Sequence, residues 1–171
     1  GVRTEKKSGR TTLRGVVGAD RKINLRWQGR TTEITRKSLM TVETQAKAHV
    51  TPTVVRYETK LNYELLQASA DKLTIFIPGG HTLTRVQGEG IRDWRVEAAP
   101  TPPAAPDAGQ REPTFHLTIE FAKAIEKKYT LELFSEQVIE STPTSQRIRI
   151  PQPLNVEREA GSLIVSAEDT L

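Results

Sequence analysis

Three histidines (His49, His81 and His116) and two tryptophans (Trp27 and Trp94) are the side chains of this 171-residue chain that most invite a chemical role. A metal centre needs ligands that converge, and spacings such as His-Glu-x-x-His or His-x-His would supply that locally. Neither spacing occurs, so no metal site is assigned. The chain has no cysteine, which excludes thiolate ligands, thiol nucleophiles and disulfides. His81 follows Gly79-Gly80 at a turn and His116 sits on the wet row of an alternating segment, so all three histidines read as surface residues. The Gly-x-Ser-x-Gly elbow, the P-loop and the dinucleotide-binding glycine pattern are missing, and no cofactor is expected. Gly88-Glu89-Gly90 lacks both the third glycine and a following helix, and reads as a turn. Glu89, Asp93 and Glu97 are close in sequence, and two carboxyls roughly 5–10 Å apart can run glycoside hydrolysis. Arg92 and Arg95 alternate among them, which fits a salt-bridged surface strand better, so no catalytic residue is assigned.

Trp94 is the most pointed residue. It stands between Arg92 and Arg95 in the stretch FIPGGHTLTRVQGEGIRDWRVE, Phe76 to Glu97. A tryptophan among arginines serves either as a stacking platform for a sugar or base, with Arg as donor, or as a core ring covered by arginine stems. Trp27, flanked by Arg26 and Gln28, poses the same choice. Aromatic residues make up 5% of the chain, so both tryptophans are expected in the core. Should a ring face outward instead, Trp94, Arg92, Arg95 and Trp27 are the ligand-binding candidates.

Charge marks a second surface. Residues 1–37 carry eleven Lys and Arg against three acids, a local +8 in a chain of net +4, leaving −4 for the rest. A basic end steers toward anionic polymers, and Arg14, Lys22, Arg26 and Arg30 are the candidates for such a partner. The competing reading is that acidic neighbouring strands neutralise this end. A nucleic acid is not the expected partner, since charge alone is a weak marker.

The elements that must position these residues show a period of two. Ile23, Leu25 and Trp27 alternate with polar residues, as do Phe115, Leu117, Ile119 and Phe121, then Tyr129, Leu131 and Leu133, then Ile148 and Ile150, then Leu163 and Val165. Each is the pattern of a half-buried strand. From Ser38 to Leu66 the apolar row runs on even positions up to Val50 and on odd positions from Val55. Pro52 lies at the change, which predicts either one long strand bent by a bulge or two strands that change sheets there. Ala122 to Lys128 has helix-forming residues but predicts a turn, or one helical turn, inside a hairpin. A faint echo links LTIFIP at 73–78 with RIRIP at 147–151.

The expected fold is therefore all-β, a mainly antiparallel β-sandwich with long bent strands. Residues 1–10 have the look of an expression scar and a flexible linker, and 11–171 are expected to form a single sandwich domain. Its Pro-rich surface loop at 98–114, AAPTPPAAPDAGQREPT within its bounds, would interrupt two strands able to pair with each other. No apolar run approaches the ~20 residues of a membrane-spanning helix.

The segments LTIFIPGGHTLTRVQGEGIRDWRV, FHLTIEF, YTLELF and RIRIP resemble a β-sandwich module of large bacterial cell-envelope and secreted proteins. In rhythm they are also similar to the N-terminal β-domain of zinc aminopeptidases, over about two thirds of the chain. The zinc-binding motif of those enzymes is absent, so the resemblance implies no activity. It implies a non-catalytic structural or interaction module, a fragment of a larger protein in the periplasm, on the cell surface or outside the cell. The expected partners are other domains of the parent protein or another envelope protein. A carbohydrate-binding module using an exposed tryptophan is the alternative, and a binder of anionic polymers the second alternative.

Overall fold

Two long strands with strict alternation of buried and exposed residues, β4 (Met40–Val50) and β5 (Val54–Leu65), form the centre of the molecule. They come from a computed structural model that describes residues 3–7, 10–14, 22–28, 39–66, 69–99, 113–139 and 146–168. The two strands pair antiparallel in one sheet, with Val50 opposite Val55 and Met40 opposite Leu65. The change of parity at Pro52 is thus neither a bulge nor a change of sheet. In this register every even residue of β4 faces an odd residue of β5, so a common buried face requires the row to switch parity. The turn is closed by Thr51, whose N–H and Oγ1 both donate to the Val54 carbonyl (3.0 and 2.8 Å) and whose Oγ1 accepts from Val54 N–H (3.1 Å). Pro52 supplies the fixed φ that suits the second position of such a turn.

Six strands form the first sheet, in the order β3 (Lys22–Gln28), β12 (Arg158–Ala167), β4, β5, β10 (Lys128–Val138) and β7 (His81–Gly88). The second sheet runs β11 (Gln152–Pro153), β6 (Ala70–Ile77), β9 (Phe115–Ile125) and β8 (Ile91–Ala98). Every neighbouring pair is antiparallel except β12 with β4. The architecture is the expected all-β, mainly antiparallel sandwich, with no helix among the described residues. None of them forms a helix long and apolar enough to cross a membrane.

The main core lies between the sheets, where Leu61, Tyr63, Leu131 and Leu133 of the first meet Leu73, Ile75, Leu117 and Ile119 of the second. A second cluster of Ala46, Ala48, Val55, Tyr57 and Leu163 is covered by Ile139, Ile148 and Ile150. Residues 146–150 were expected as a strand, but they carry no ladder. Their alternation reflects packing against the second cluster, and the prolines at 151 and 153 lack the N–H groups that a continuing strand would use. The echo of LTIFIP in RIRIP is consequently not a repeat, since only the first is a strand.

On the wet face of the first sheet, charges sit directly opposite one another across the ladders. Lys47–Glu58, Arg56–Glu136 and Lys60–Glu132 approach to 3.5, 3.2 and 3.1 Å. Exposed pairs of this kind contribute little each, about 0–1 kcal/mol, but they favour the observed register.

The chain crosses between sheets at three tight corners. Pro78–Gly80 carries β6 to β7, Glu89-Gly90 carries β7 to β8, and Glu126-Lys127 carries β9 to β10. Gly80 and Gly90 have φ of 79° and 68°, a region glycine enters without a Cβ penalty. The expected hairpin around Ala122–Lys128 is therefore a crossover: β9 continues to Ile125, and the Lys127 carbonyl accepts from Leu65 N–H (2.7 Å). β8 and β9 do pair with each other, Ala98 opposite Phe115, across the proline-rich segment. That segment's residues 100–112 lie outside the described residues. Where a flexible linker was expected, β1 (Arg3–Lys7) pairs with β2 (Arg10–Arg14).

Candidate functional site

Strand β8 closes one side of the second sheet, and register decides which way its side chains face. Trp94 stands opposite Ile119 and Val96 opposite Leu117, both wholly buried core residues. Directly opposed residues share a face, so Trp94 and Val96 belong to the core-facing row. Each is nevertheless 41% exposed. The first sheet ends at β7, whose half-buried Leu83 and Val86 pack against the core. β7 and β8 are thus end strands of the two sheets, joined by Glu89-Gly90. Trp94, expected in the core, is on the right row but at its uncovered end.

The arginines expected beside it face elsewhere. Arg92 donates to Glu120 Oε2 in a short ion pair, and Arg95 lies 3.1 Å from Glu97 and 3.8 Å from Glu120. Asp93, Arg95 and Glu97 form the outer row, opposite Glu120, Thr118 and His116. The ladder shifts register between Ile91 and Asp93, which leaves Arg92 at a bulge. Trp94 and the two arginines are thus not brought together into one stacking platform.

Backbone direction along β8 also follows. Ala99 N–H donates inward to the Thr114 carbonyl (2.8 Å), so alternation turns the N–H and C=O groups of Ala98, Val96 and Trp94 toward the outer edge, along which no strand pairs among the described residues. Trp94 N–H is accordingly held by the side chain of Asp93, at 2.8 Å.

Of the remaining candidates, Arg26 is exposed on β3. The side chains of Arg14, Lys22 and Trp27, and all of Arg30, lie outside the described residues; Trp27 stands opposite Gly161 in the ladder. Among the described residues no three His, Asp or Glu side chains gather as a metal site.

His49 is exposed, 3.1 Å from Ser166 Oγ, and His116 is half-buried. His81 corrects the expectation of a surface residue. It is buried, its ring is 4.4 Å from that of Tyr57, and its Nδ1 is 3.1 Å from Ser135 Oγ. Tyr57 Oη in turn donates to Gln137 Oε1 at 2.8 Å. This polar patch joins β5, β10 and β7 and was missed in the sequence, although His81 shares its parity with Leu83.

All three tyrosines of the chain are buried. Burial pushes Tyr57 up to about 12, with Arg149 pulling partly back. Burial, then Glu89, pushes Tyr129 up to about 12. Tyr63 is pushed up further, by burial first and then by Glu159 and Tyr129. Unfolded tyrosine ionises near 10, so above that pH the unfolded chain releases protons that the folded chain keeps. The tyrosines' contribution is therefore fully present below pH ~10 and is lost as pH rises from about 10 to 12. Spectrophotometric titration should show no phenolate in the folded protein near pH 10, and the denaturant midpoint should fall over that window. Normal ionisation near 10 without unfolding would contradict this packing. Tyr63 Oη has no hydrogen-bond partner among the described residues, so Tyr63→Phe should not lower stability at neutral pH.

No family model matches the chain, and no curated protein matches it. Among solved structures it is similar to an M1 zinc metallopeptidase from Deinococcus radiodurans, at 10% identity and a TM-score of 0.40. That match covers 64% of this chain and 24% of the metallopeptidase, so the chain spans about a quarter of that enzyme's length. It is also similar to a non-cellulosomal cohesin from the hyperthermophilic archaeon Archaeoglobus fulgidus, at 11% identity and a TM-score of 0.41, over 77% of this chain and 94% of the cohesin. Neither likeness bears on what the chain does.

Proposed function

We propose that this chain is a non-catalytic structural or interaction β-module, part of a larger bacterial envelope or secreted protein, whose contact face is the free edge of β8. The observation that carries the reading is the pair Trp94 and Val96, which lie on a core-facing row yet are open to solvent. A row patterned for burial and left uncovered suits completion by another protein surface. The periplasm, cell surface or extracellular space is the proposed location, and neighbouring domains of the parent protein or another envelope protein are the proposed partners. The test is a photo-crosslinking amino acid placed at position 94 or 96 in the source cell, with position 56 on the wet face of β5 as the control. Protein adducts at 94 and 96 but not at 56 are expected. Equal labelling at all three positions, or none at any, would refute β8 as the contact face.

The exposed ring of Trp94 also favours a second reading, a carbohydrate-binding module. Glycan-array binding abolished by Trp94→Ala would support it, and binding indifferent to that substitution would remove it.

A further inference from the structure

The geometry points to a second copy of this chain as the partner at β8, paired antiparallel about a two-fold axis through Val96 so that the four-stranded second sheet continues into its twin. The inference rests on β8 being the contact face and adds what binds there.

Three independent features of the strand agree on this register. The first is hydrogen bonding. Ala98, Val96 and Trp94 already present N–H and C=O outward, and pairing centred on Val96 sets Val96 against Val96 of the twin and Trp94 against Ala98. All three outward N–H groups of each copy then meet carbonyls, with the carbonyl of Ala98 replacing Asp93 Oδ1 on Trp94 N–H. The bulge at Arg92 falls outside the paired stretch, so the ladder stays regular.

The second feature is charge. In this register Arg95 of each copy stands opposite Glu97 of the other on the outer row, giving two cross-strand ion pairs. A two-fold centred on Arg95 would instead set Arg95 against Arg95 and Asp93 against Glu97, which is repulsive throughout. The third feature is size. On the inner row the Trp94 indole lies beside Ala98 of the twin, a large side chain against a small one, with two Val96 side chains between. Pairing there covers the exposed Trp94 and Val96 of both copies. A single edge-to-edge ladder is small for a stable dimer, so the association is weak and reversible.

Sedimentation equilibrium tests this with the whole chain. A monomer–dimer equilibrium with a dissociation constant of about 10 µM to 1 mM is expected. Val96→Pro removes an outward N–H that the β8–β9 ladder does not use, so it should abolish the dimer while the melting temperature stays close to that of the parent. R95E and E97R each place like charges face to face and should weaken the dimer at least about tenfold. The double variant R95E/E97R restores opposite charges across the axis and should recover it, a rescue that a general surface effect would not give.

A monomer at every concentration would overturn the inference, as would a dimer indifferent to Val96→Pro or a double variant no better than the singles. If the chain stays monomeric while the crosslinker at 94 and 96 captures a different protein, self-pairing is refuted and the contact-face reading stands. If neither occurs, both fall.

Discussion

Gly88→Ala should destabilise the protein by about 2–3 kcal/mol, lowering its melting temperature by about 5–10 °C. A Cβ added at Gly88 would lie 2.1 Å from Tyr129 Oη and 3.0 Å from its Cζ. Tyr129 cannot swing aside at small cost. Its ring packs edge-on against Phe121 with centroids 4.9 Å apart, and its hydroxyl donates to the Glu89 carbonyl at 3.0 Å. That bond holds the corner at which the chain leaves the first sheet for β8, so the clash acts where the two sheets are tied together. Tyr129→Phe alone should lose about 1 kcal/mol, the worth of one buried hydrogen bond. In the double variant the phenolic oxygen is gone and the nearest ring contact is the 3.0 Å one, so the combined loss should fall short of the sum by about 1 kcal/mol or more. Chemical denaturation of the four proteins gives the cycle. Strict additivity would show that Gly88 is not set by the tyrosine.

The same corner shows what was and was not legible in the sequence. Period two located β3, β4, β5, β9, β10 and β12, because burial on one face of a ladder leaves an alternating record that needs no knowledge of neighbours. The glycines at 79–80 and 88–90 were readable as punctuation for the same local reason. What could not be read was strand order. Whether Lys127 closes a hairpin or a crossover, and whether Pro52 bends a strand or turns it back, depends on which ladder lies alongside.

Trp94 shows this most clearly. The scarcity of aromatic residues assigned it to the core, and its row does face the core, but the exposure of that row depends on where the first sheet ends, which no local pattern records. His81 is the converse case, a polar residue after two glycines that the β7–β10 pairing draws under Tyr57. The arginines flanking Trp94 looked like part of one site because they are adjacent in sequence. On a strand, adjacency puts Arg95 on the opposite face, the bulge displaces Arg92 from the row of Trp94, and Glu120 pairs with both arginines.

Tyr57→Ala carries the largest expected loss, about 3–5 kcal/mol. Tyr57 is wholly buried in the second cluster, where it packs with Ala46, Ala48 and Val55, and its ring lies 4.4 Å from the imidazole of His81 at a tilt of 33°. Its removal opens a cavity that small neighbours such as alanine cannot fill, and it leaves Gln137 without the phenol it accepts from. Tyr57→Phe keeps the ring and should lose about 1 kcal/mol, so the two variants separate packing from the hydrogen bond.

The loss should also be uneven. The main core between the sheets does not include Tyr57, whereas β7 is held to the rest of its sheet by β10 on one side and by His81 lying against Tyr57. Hydrogen exchange in Tyr57→Ala should therefore show β7 amides losing protection well before those of β6 and β9. β7 leads directly through Glu89-Gly90 into β8, so the damage would extend to the strand that carries the exposed apolar pair. Protection lost equally across both sheets would mean instead that the two clusters unfold as one unit and that Tyr57 supports the whole sandwich rather than this side of it.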